Sequence, residues 1–126
     1  MIGGSLFVVP RVWANDHARV RSEIVALLGV VEHSGCSFMR NGSWYSSADA
    51  RKMLEHKLNE ALGSPGGVTS TEQFIEKSAS RSSMSGKPYV VQCAEAKAVE
   101  SGPWLMSKLV AMRSSNATRP PPAPPR

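Results

Sequence analysis

The chain has 126 residues, the length of one domain, and its 15 Lys and Arg against 10 Asp and Glu leave a formal charge of +5. The basic residues are dispersed and form no recognisable nucleic-acid-binding motif, which argues against DNA or RNA as a partner. No stretch approaches the roughly 18–20 apolar residues of a membrane span, so no transmembrane segment is predicted.

The N-terminal segment has features of a signal peptide. Leu6 to Val9 is apolar, and Val12-Trp13-Ala14 has the small-x-small spacing of a signal-peptidase site. A basic n-region is missing and the apolar run is short, so we interpret residues 1–14 as the remnant of a longer signal peptide. An ordinary disordered N-terminus is the alternative. The first interpretation predicts export to the periplasm.

The next segment predicts a helix and then a hairpin. Aliphatic side chains recur at spacings of three and four over residues 16–33, which indicates a helix with one apolar face. Asn41-Gly42 then separates two β-prone runs, 36–40 and 43–45. This dipeptide favours a two-residue type I′ turn, because both turn residues must take positive φ, and the loop length sets the pairing register of the strands.

The second half of the chain predicts three more helices and one more strand. Ser47 is expected to cap the second helix, and Thr69 and Glu72 have the spacing of a capping box that opens the third. Residues 114–126 are rich in proline with almost nothing to bury, so they are predicted to form a disordered tail. The predicted elements are helices at 47–62, 71–79 and 102–113 and a strand at 88–93.

Cys36 and Cys93 are best explained as a disulfide. A metal site would need two more ligands, and the three histidines show no ligand spacing. A catalytic Cys–His pair is formally possible, but a free thiol is unusual in an exported protein. If the strand at 88–93 runs antiparallel to the strand at 36–40, Cys93 lies opposite Cys36, and the sheet order becomes 2-1-3.

A run of serines precedes Gly86-Lys87-Pro88-Tyr89. This corner offers hydroxyls, backbone N–H groups and an ammonium group to an anion, a glycan or a partner protein. The catalytic alternative is a serine nucleophile among residues 82–85 with Lys87 as its base, but the Ser-x-x-Lys spacing and the GxSxG elbow are both absent. The structural alternative is that the serines end a helix and satisfy backbone groups in a tight connection.

Several stretches together resemble the YfeK-like family of small exported bacterial proteins, over about residues 16–113. They are Phe38-x-Arg40-Asn41-Gly42, Ala50 with His56-Lys57-Leu58, Thr71 to Lys77, and Ala79-Ser80-x-Ser82-Ser83-x-Ser85-Gly86-Lys87-Pro88-Tyr89. The resemblance implies a periplasmic protein but no activity, because the family is uncharacterised. It implies a shared surface with these candidate binding residues: Arg40, Asn41, Ser82, Ser83, Ser85, Lys87 and Tyr89.

The sequence therefore predicts a single α+β domain of residues 15–113, in which a small three-stranded antiparallel sheet packs with about four helices. No cofactor and no metal site are predicted. The expected function is a non-catalytic binding module that recognises an envelope protein or a cell-wall component. The alternatives are an envelope hydrolase that uses a serine of residues 82–85 with Lys87, and a purely structural or stress-related stability factor.

Overall fold

A computed structural model of the chain describes residues 11–63 and 67–118. Residues 1–10 of the predicted signal-peptide remnant and residues 119–126 of the predicted tail lie outside this part. The elements, in chain order, are α1 (Arg11–Glu32), β1 (Ser37–Arg40), β2 (Ser43–Tyr45), α2 (Ser47–Gly63), α3 (Thr71–Ser78), β3 (Val90–Gln92), β4 (Val99–Glu100) and α4 (Ser101–Thr118).

Two helices extend beyond their predicted bounds. Helix α1 begins at Arg11 instead of residue 16, and α4 continues to Thr118 instead of residue 113. Neither added segment contains a glycine or a proline, so nothing in the local chemistry stops the helix there. No helix in the described ranges is both long and apolar enough to cross a membrane.

The four strands form one antiparallel sheet in the order β2-β1-β3-β4. The α+β class and the predicted order 2-1-3 are confirmed, but the predicted count of three strands is wrong. The missed strand, β4, has two residues, too few to show an alternating pattern. The hairpin register is as the two-residue loop predicts, with Phe38 opposite Tyr45. Asn41 and Gly42 take φ values of 49° and 85°.

The predicted disulfide is present and fixes the centre of the sheet. Cys36 and Cys93 are bonded with a Cα–Cα distance of 4.2 Å. They flank the pair Ser37 and Gln92, which join β1 to β3. Their bridge therefore closes the loop that contains α2, α3 and the serine-rich corner.

The helices pack on the sheet face that carries Phe38 and Val91, which are 8% and 1% exposed. The rings of Phe38 and Trp104 on α4 pack in a T-shaped arrangement, with 5.7 Å between the centroids. On the opposite sheet face Trp44 is 47% exposed. The buried apolar side chains of the helices are Ile24, Leu27, Leu28, Val31, Ala50, Leu54, Leu58, Phe74, Ile75, Leu105 and Leu109.

Two predicted helix caps are each wrong by one residue. Ser46, not Ser47, caps α2 by accepting a hydrogen bond from the backbone N–H of Asp49 at 3.1 Å. The Ser47 hydroxyl instead donates to the Glu32 carbonyl at the end of α1. Helix α3 is capped by Ser70, whose hydroxyl accepts from the N–H of Gln73. Serine and threonine can both cap a helix, so where two of them are adjacent the sequence does not fix which one is used.

Candidate functional site

The serine-rich segment folds into a closed loop, residues 82–87. The backbone N–H of Ser82 donates to the Lys87 carbonyl, and that of Gly86 donates to the Ser82 carbonyl, both at 2.9 Å. Gly86 takes a φ of 73°, a conformation that favours glycine. Ser82 is 1% exposed, and its hydroxyl accepts from the N–H groups of Met84 and Ser85 at 3.3 and 3.4 Å. Ser82 therefore serves to build the loop.

The tip of the hairpin binds this loop through Asn41. The Asn41 amide nitrogen donates to the Ser82 hydroxyl at 3.3 Å, and the Ser85 hydroxyl donates to the Asn41 carbonyl oxygen at 2.5 Å. The Ser85 oxygen also accepts from the N–H of Lys87 at 3.2 Å. We call the combined feature, residues 41–43 and 82–87, the hairpin–loop corner. It brings together five of the predicted site residues: Asn41, Ser82, Ser83, Ser85 and Lys87.

The corner presents exposed side chains of mixed chemistry. Ser83 and Lys87 are exposed, and Met84 is 88% exposed, the largest value among the exposed large apolar residues described. Residues 33–48 and 77–94, which contain the corner, include no Asp or Glu. The basic residues of these two segments are Arg40, Lys77, Arg81 and Lys87.

Tyr89 faces the interior instead of the surface. It is 6% exposed, and its hydroxyl accepts a hydrogen bond from the Lys57 ammonium at 2.5 Å. Lys57 also donates to the Ser78 carbonyl at 3.0 Å and lies 4.8 Å from the centroid of the Tyr89 ring. Lys57 was not predicted as a site residue. It lies three residues after the buried Leu54 on α2, and this helical spacing is an indication that it faces inward.

Arg40 lies at the edge of an apolar cavity between the hairpin, α2 and α4. The cavity has a volume of about 30 Å³. Arg40 is partly exposed, but its Nε atom is buried and finds no hydrogen-bond acceptor among the residues that the structure describes. Tyr45 and Met53 also line the cavity and are partly exposed. The sequence gives no sign of this cavity, because its walls come from separate elements.

The geometry does not support Ser82 or Ser85 as a nucleophile. The Ser82 and Ser85 hydroxyls are bonded to Asn41 and to backbone N–H groups. Lys87 reaches the Ser85 hydroxyl through its backbone N–H and not through its ammonium group. A nucleophile needs a base within hydrogen-bond reach, and no hydrogen bond in the described residues joins a side-chain base to either hydroxyl. In the same residues no three His, Cys, Asp or Glu side chains are grouped to hold a metal ion.

Comparison with known proteins gives a family but no activity. A family model described as "Family of unknown function (DUF5329)" matches residues 18–113. The chain is 36% identical over 78 residues to "Uncharacterized protein YfeK" of Salmonella typhimurium (strain LT2), a match that covers 61% of this chain and 62% of that protein. The chain thus spans less than two thirds of that relative. The resemblance to the YfeK-like family is confirmed, and no solved structure matches the chain significantly.

Proposed function

The chain belongs to the DUF5329 family of unknown function, and on that premise we propose that it is a non-catalytic binding module of the bacterial cell envelope. Its binding surface is the hairpin–loop corner, and its partner is an envelope protein that presents acidic side chains. The observation that carries this proposal is the pair of hydrogen bonds that join the Asn41 side chain to the hydroxyls of Ser82 and Ser85 and hold the exposed loop against the hairpin.

A loop that is fixed before binding loses little conformational entropy when a partner arrives. The loop of residues 82–87 is fixed by the buried Ser82 hydroxyl, which accepts hydrogen bonds from the Asn41 amide and from two backbone N–H groups of the loop. The Met84 and Lys87 side chains are left exposed to solvent. Methionine is enriched at protein interfaces, so the exposed Met84 side chain offers a partner an apolar contact in the same loop as the Lys87 ammonium.

The charge of the corner indicates what kind of partner it accepts. Lys87 in the corner and the neighbouring Arg81 are exposed, and residues 33–48 and 77–94, the two segments that contain the corner, include no acidic residue. Complementary charge speeds association and rejects partners of the same sign. The corner therefore favours an acidic protein surface over a basic one.

The proposal also includes the compartment. The Cys36–Cys93 disulfide supports an oxidising environment, since structural disulfides rarely persist in a reducing cytosol. The signal-like residues 1–14 and the resemblance to a family of exported proteins favour the periplasm. Fractionation of cells that express the full chain tests this part: recovery with the cytoplasmic fraction and reduced cysteines would exclude it.

The binding proposal is tested by photo-crosslinking in living cells. A photoreactive amino acid at position 84 probes the corner, and one at Val110, which is 60% exposed on α4, serves as the control position. We expect a discrete crosslinked protein from position 84 and not from position 110. Lys87→Glu should abolish the crosslinked product from position 84. Lys52→Glu, at an exposed residue of α2, should leave that product unchanged.

Other results would contradict the proposal in different ways. Equal crosslinking from both positions, or a product that Lys87→Glu does not affect, would exclude the corner as the binding surface. A crosslink to glycan strands instead of protein would replace the proposed partner with a cell-wall component. Turnover of envelope substrates that is lost in Ser83→Ala would restore the hydrolase alternative.

A further inference from the structure

We propose that the cavity beside Arg40 receives an aliphatic side chain of the partner, and that the Arg40 guanidinium binds a carboxylate next to that side chain. This inference rests on the proposed function, because it names the chemistry by which the same acidic partner is anchored. The juxtaposition that points to it is an apolar cavity whose lining includes an arginine with a buried Nε–H that has no acceptor among the described residues.

The cavity is formed by apolar side chains from four parts of the fold. Phe38 on β1 and Ala50 and Leu54 on α2 line it, together with Ala79 at the end of α3 and Leu105 on α4. All five are less than 9% exposed. Apolar walls give no hydrogen bond to water, so an aliphatic group that moves from solvent into the cavity gains hydrophobic free energy.

The size of the cavity limits the occupant. A volume of about 30 Å³ exceeds the roughly 10–15 Å³ that one water molecule requires, and it suits the end of a Leu or Ile side chain. It is too small for a long acyl chain. A peptide side chain is therefore the occupant that the geometry favours.

Arg40 supplies the polar half of the site. Its buried Nε–H has no acceptor among the described residues, and a buried donor without an acceptor costs free energy. The guanidinium fork matches a carboxylate, which can accept two parallel hydrogen bonds from it. Because Arg40 is followed directly by Asn41, a ligand here lies next to the hairpin–loop corner.

Small probes can test the two halves of this site separately. N-acetyl-leucinate carries both the aliphatic group and the carboxylate, N-acetyl-leucinamide lacks the charge, and N-acetyl-glycinate lacks the side chain. Each is titrated into the full chain at millimolar concentrations, and the backbone amide signals of Arg40, Tyr45 and Met53 are followed by NMR. We expect N-acetyl-leucinate to bind at least about tenfold more tightly than either of the other two probes.

Two variants and one control assign the effect to the cavity. Arg40→Met keeps the apolar stem and should bring the affinity for N-acetyl-leucinate down to that for the amide. Ala50→Leu fills the cavity and should abolish binding of N-acetyl-leucinate. Lys52 is exposed on the same helix, so Lys52→Met should leave the affinities for N-acetyl-leucinate and for N-acetyl-leucinamide unchanged. If Ala50→Leu does not fold, the comparison of the leucine and glycine probes still tests the cavity.

Equal affinity for all three probes, or no shift at any of the three amides, would overturn the inference. So would unchanged binding of N-acetyl-leucinate by Arg40→Met. These failures are distinct from failure of the proposed function: a crosslink at position 84 that depends on Lys87 would survive them, and would show that the corner binds its partner without this anchor.

Discussion

The side-chain carbonyl of Asn41 accepts a hydrogen bond from the Ser85 hydroxyl at 2.5 Å, across 44 residues of chain. Asn41 also occupies a turn position with a φ of 49°, a conformation in which Asn is better tolerated than most residues. One side chain thus serves both the shape of the hairpin and the attachment of the loop. The two roles can be separated by substitution.

Asn41→Gly keeps the turn conformation and removes both side-chain hydrogen bonds, whereas Asn41→Ala removes the bonds and also strains the turn. We expect Asn41→Gly to lower the free energy of unfolding by about 1–2 kcal/mol. Asn41→Ala should lose about 1 kcal/mol more. Urea unfolding measures both. Faster amide exchange at Ser85 and Lys87 in both variants would show that the loop has been released; unchanged exchange would contradict the role of Asn41.

Ser82 and Ser83 are adjacent, but we expect their substitution by alanine to have very different effects on stability. The Ser82 hydroxyl is buried and accepts two backbone N–H groups, so Ser82→Ala should cost about 1–3 kcal/mol by leaving them without an acceptor. Ser83 is exposed, and Ser83→Ala should stay within about 0.5 kcal/mol of the wild type. Thermal unfolding of the two variants compares them directly. Equal effects would mean that the hydroxyl of Ser82 does not support the loop.

The contrast between Ser82 and Ser83 cannot be predicted from the sequence, whereas other features of the fold can. The Asn-Gly turn, the strand register and the disulfide are predictable because each depends on local chemistry or on simple pairing geometry. The serines of the corner are chemically identical in the sequence. Ser82 becomes buried only because the loop closes between its N–H and the Lys87 carbonyl and the hairpin packs against it.

The cavity and Lys57 were missed for a related reason. Each depends on elements that are far apart in sequence and meet only in the folded chain. The Lys57 ammonium on α2 reaches the Tyr89 hydroxyl, 32 residues later. A lysine among apolar positions of a helix predicts an inward or snorkelling side chain, but the periodicity cannot name its partner.

The bond between Lys57 and Tyr89 leads to a third prediction. Tyr89→Phe leaves the Lys57 ammonium with the Ser78 carbonyl as its remaining described acceptor, and should cost about 1–2 kcal/mol. Lys57→Met should cost a similar amount, because the buried Tyr89 hydroxyl then loses its donor. The double variant should cost less than the sum of the two, by about 1 kcal/mol. Strict additivity in urea unfolding would show that the two groups are not coupled.

The last prediction concerns Arg113, which joins three helices. Its guanidinium on α4 binds the carboxylate of Glu23 on α1 at 2.8 and 3.0 Å. It binds that of Glu72 on α3 at 2.7 and 3.1 Å. These hydrogen bonds from Arg113 hold the pKa of both carboxyls below the ordinary value of 4.5. The ion pairs are partly exposed to water, so their contribution is screened and modest.

The sign of the pH dependence follows from the lowered pKa values. A carboxyl with a lower pKa in the folded state contributes stability above its unfolded pKa of about 4.5, and that stability is lost as the pH falls through the folded pKa. Arg113→Met should therefore lower the free energy of unfolding by about 0.5–1 kcal/mol at pH 7. The difference in free energy of unfolding between Arg113→Met and the wild type should shrink below about pH 4 and in about 1 M salt.

Arg81→Met, at an exposed arginine of the loop region, is the matched control, and its stability relative to the wild type should not depend on pH or salt in this way. A difference between Arg113→Met and the wild type that persists unchanged at pH 2 would mean that Arg113 stabilises the helices by packing and not by its charge.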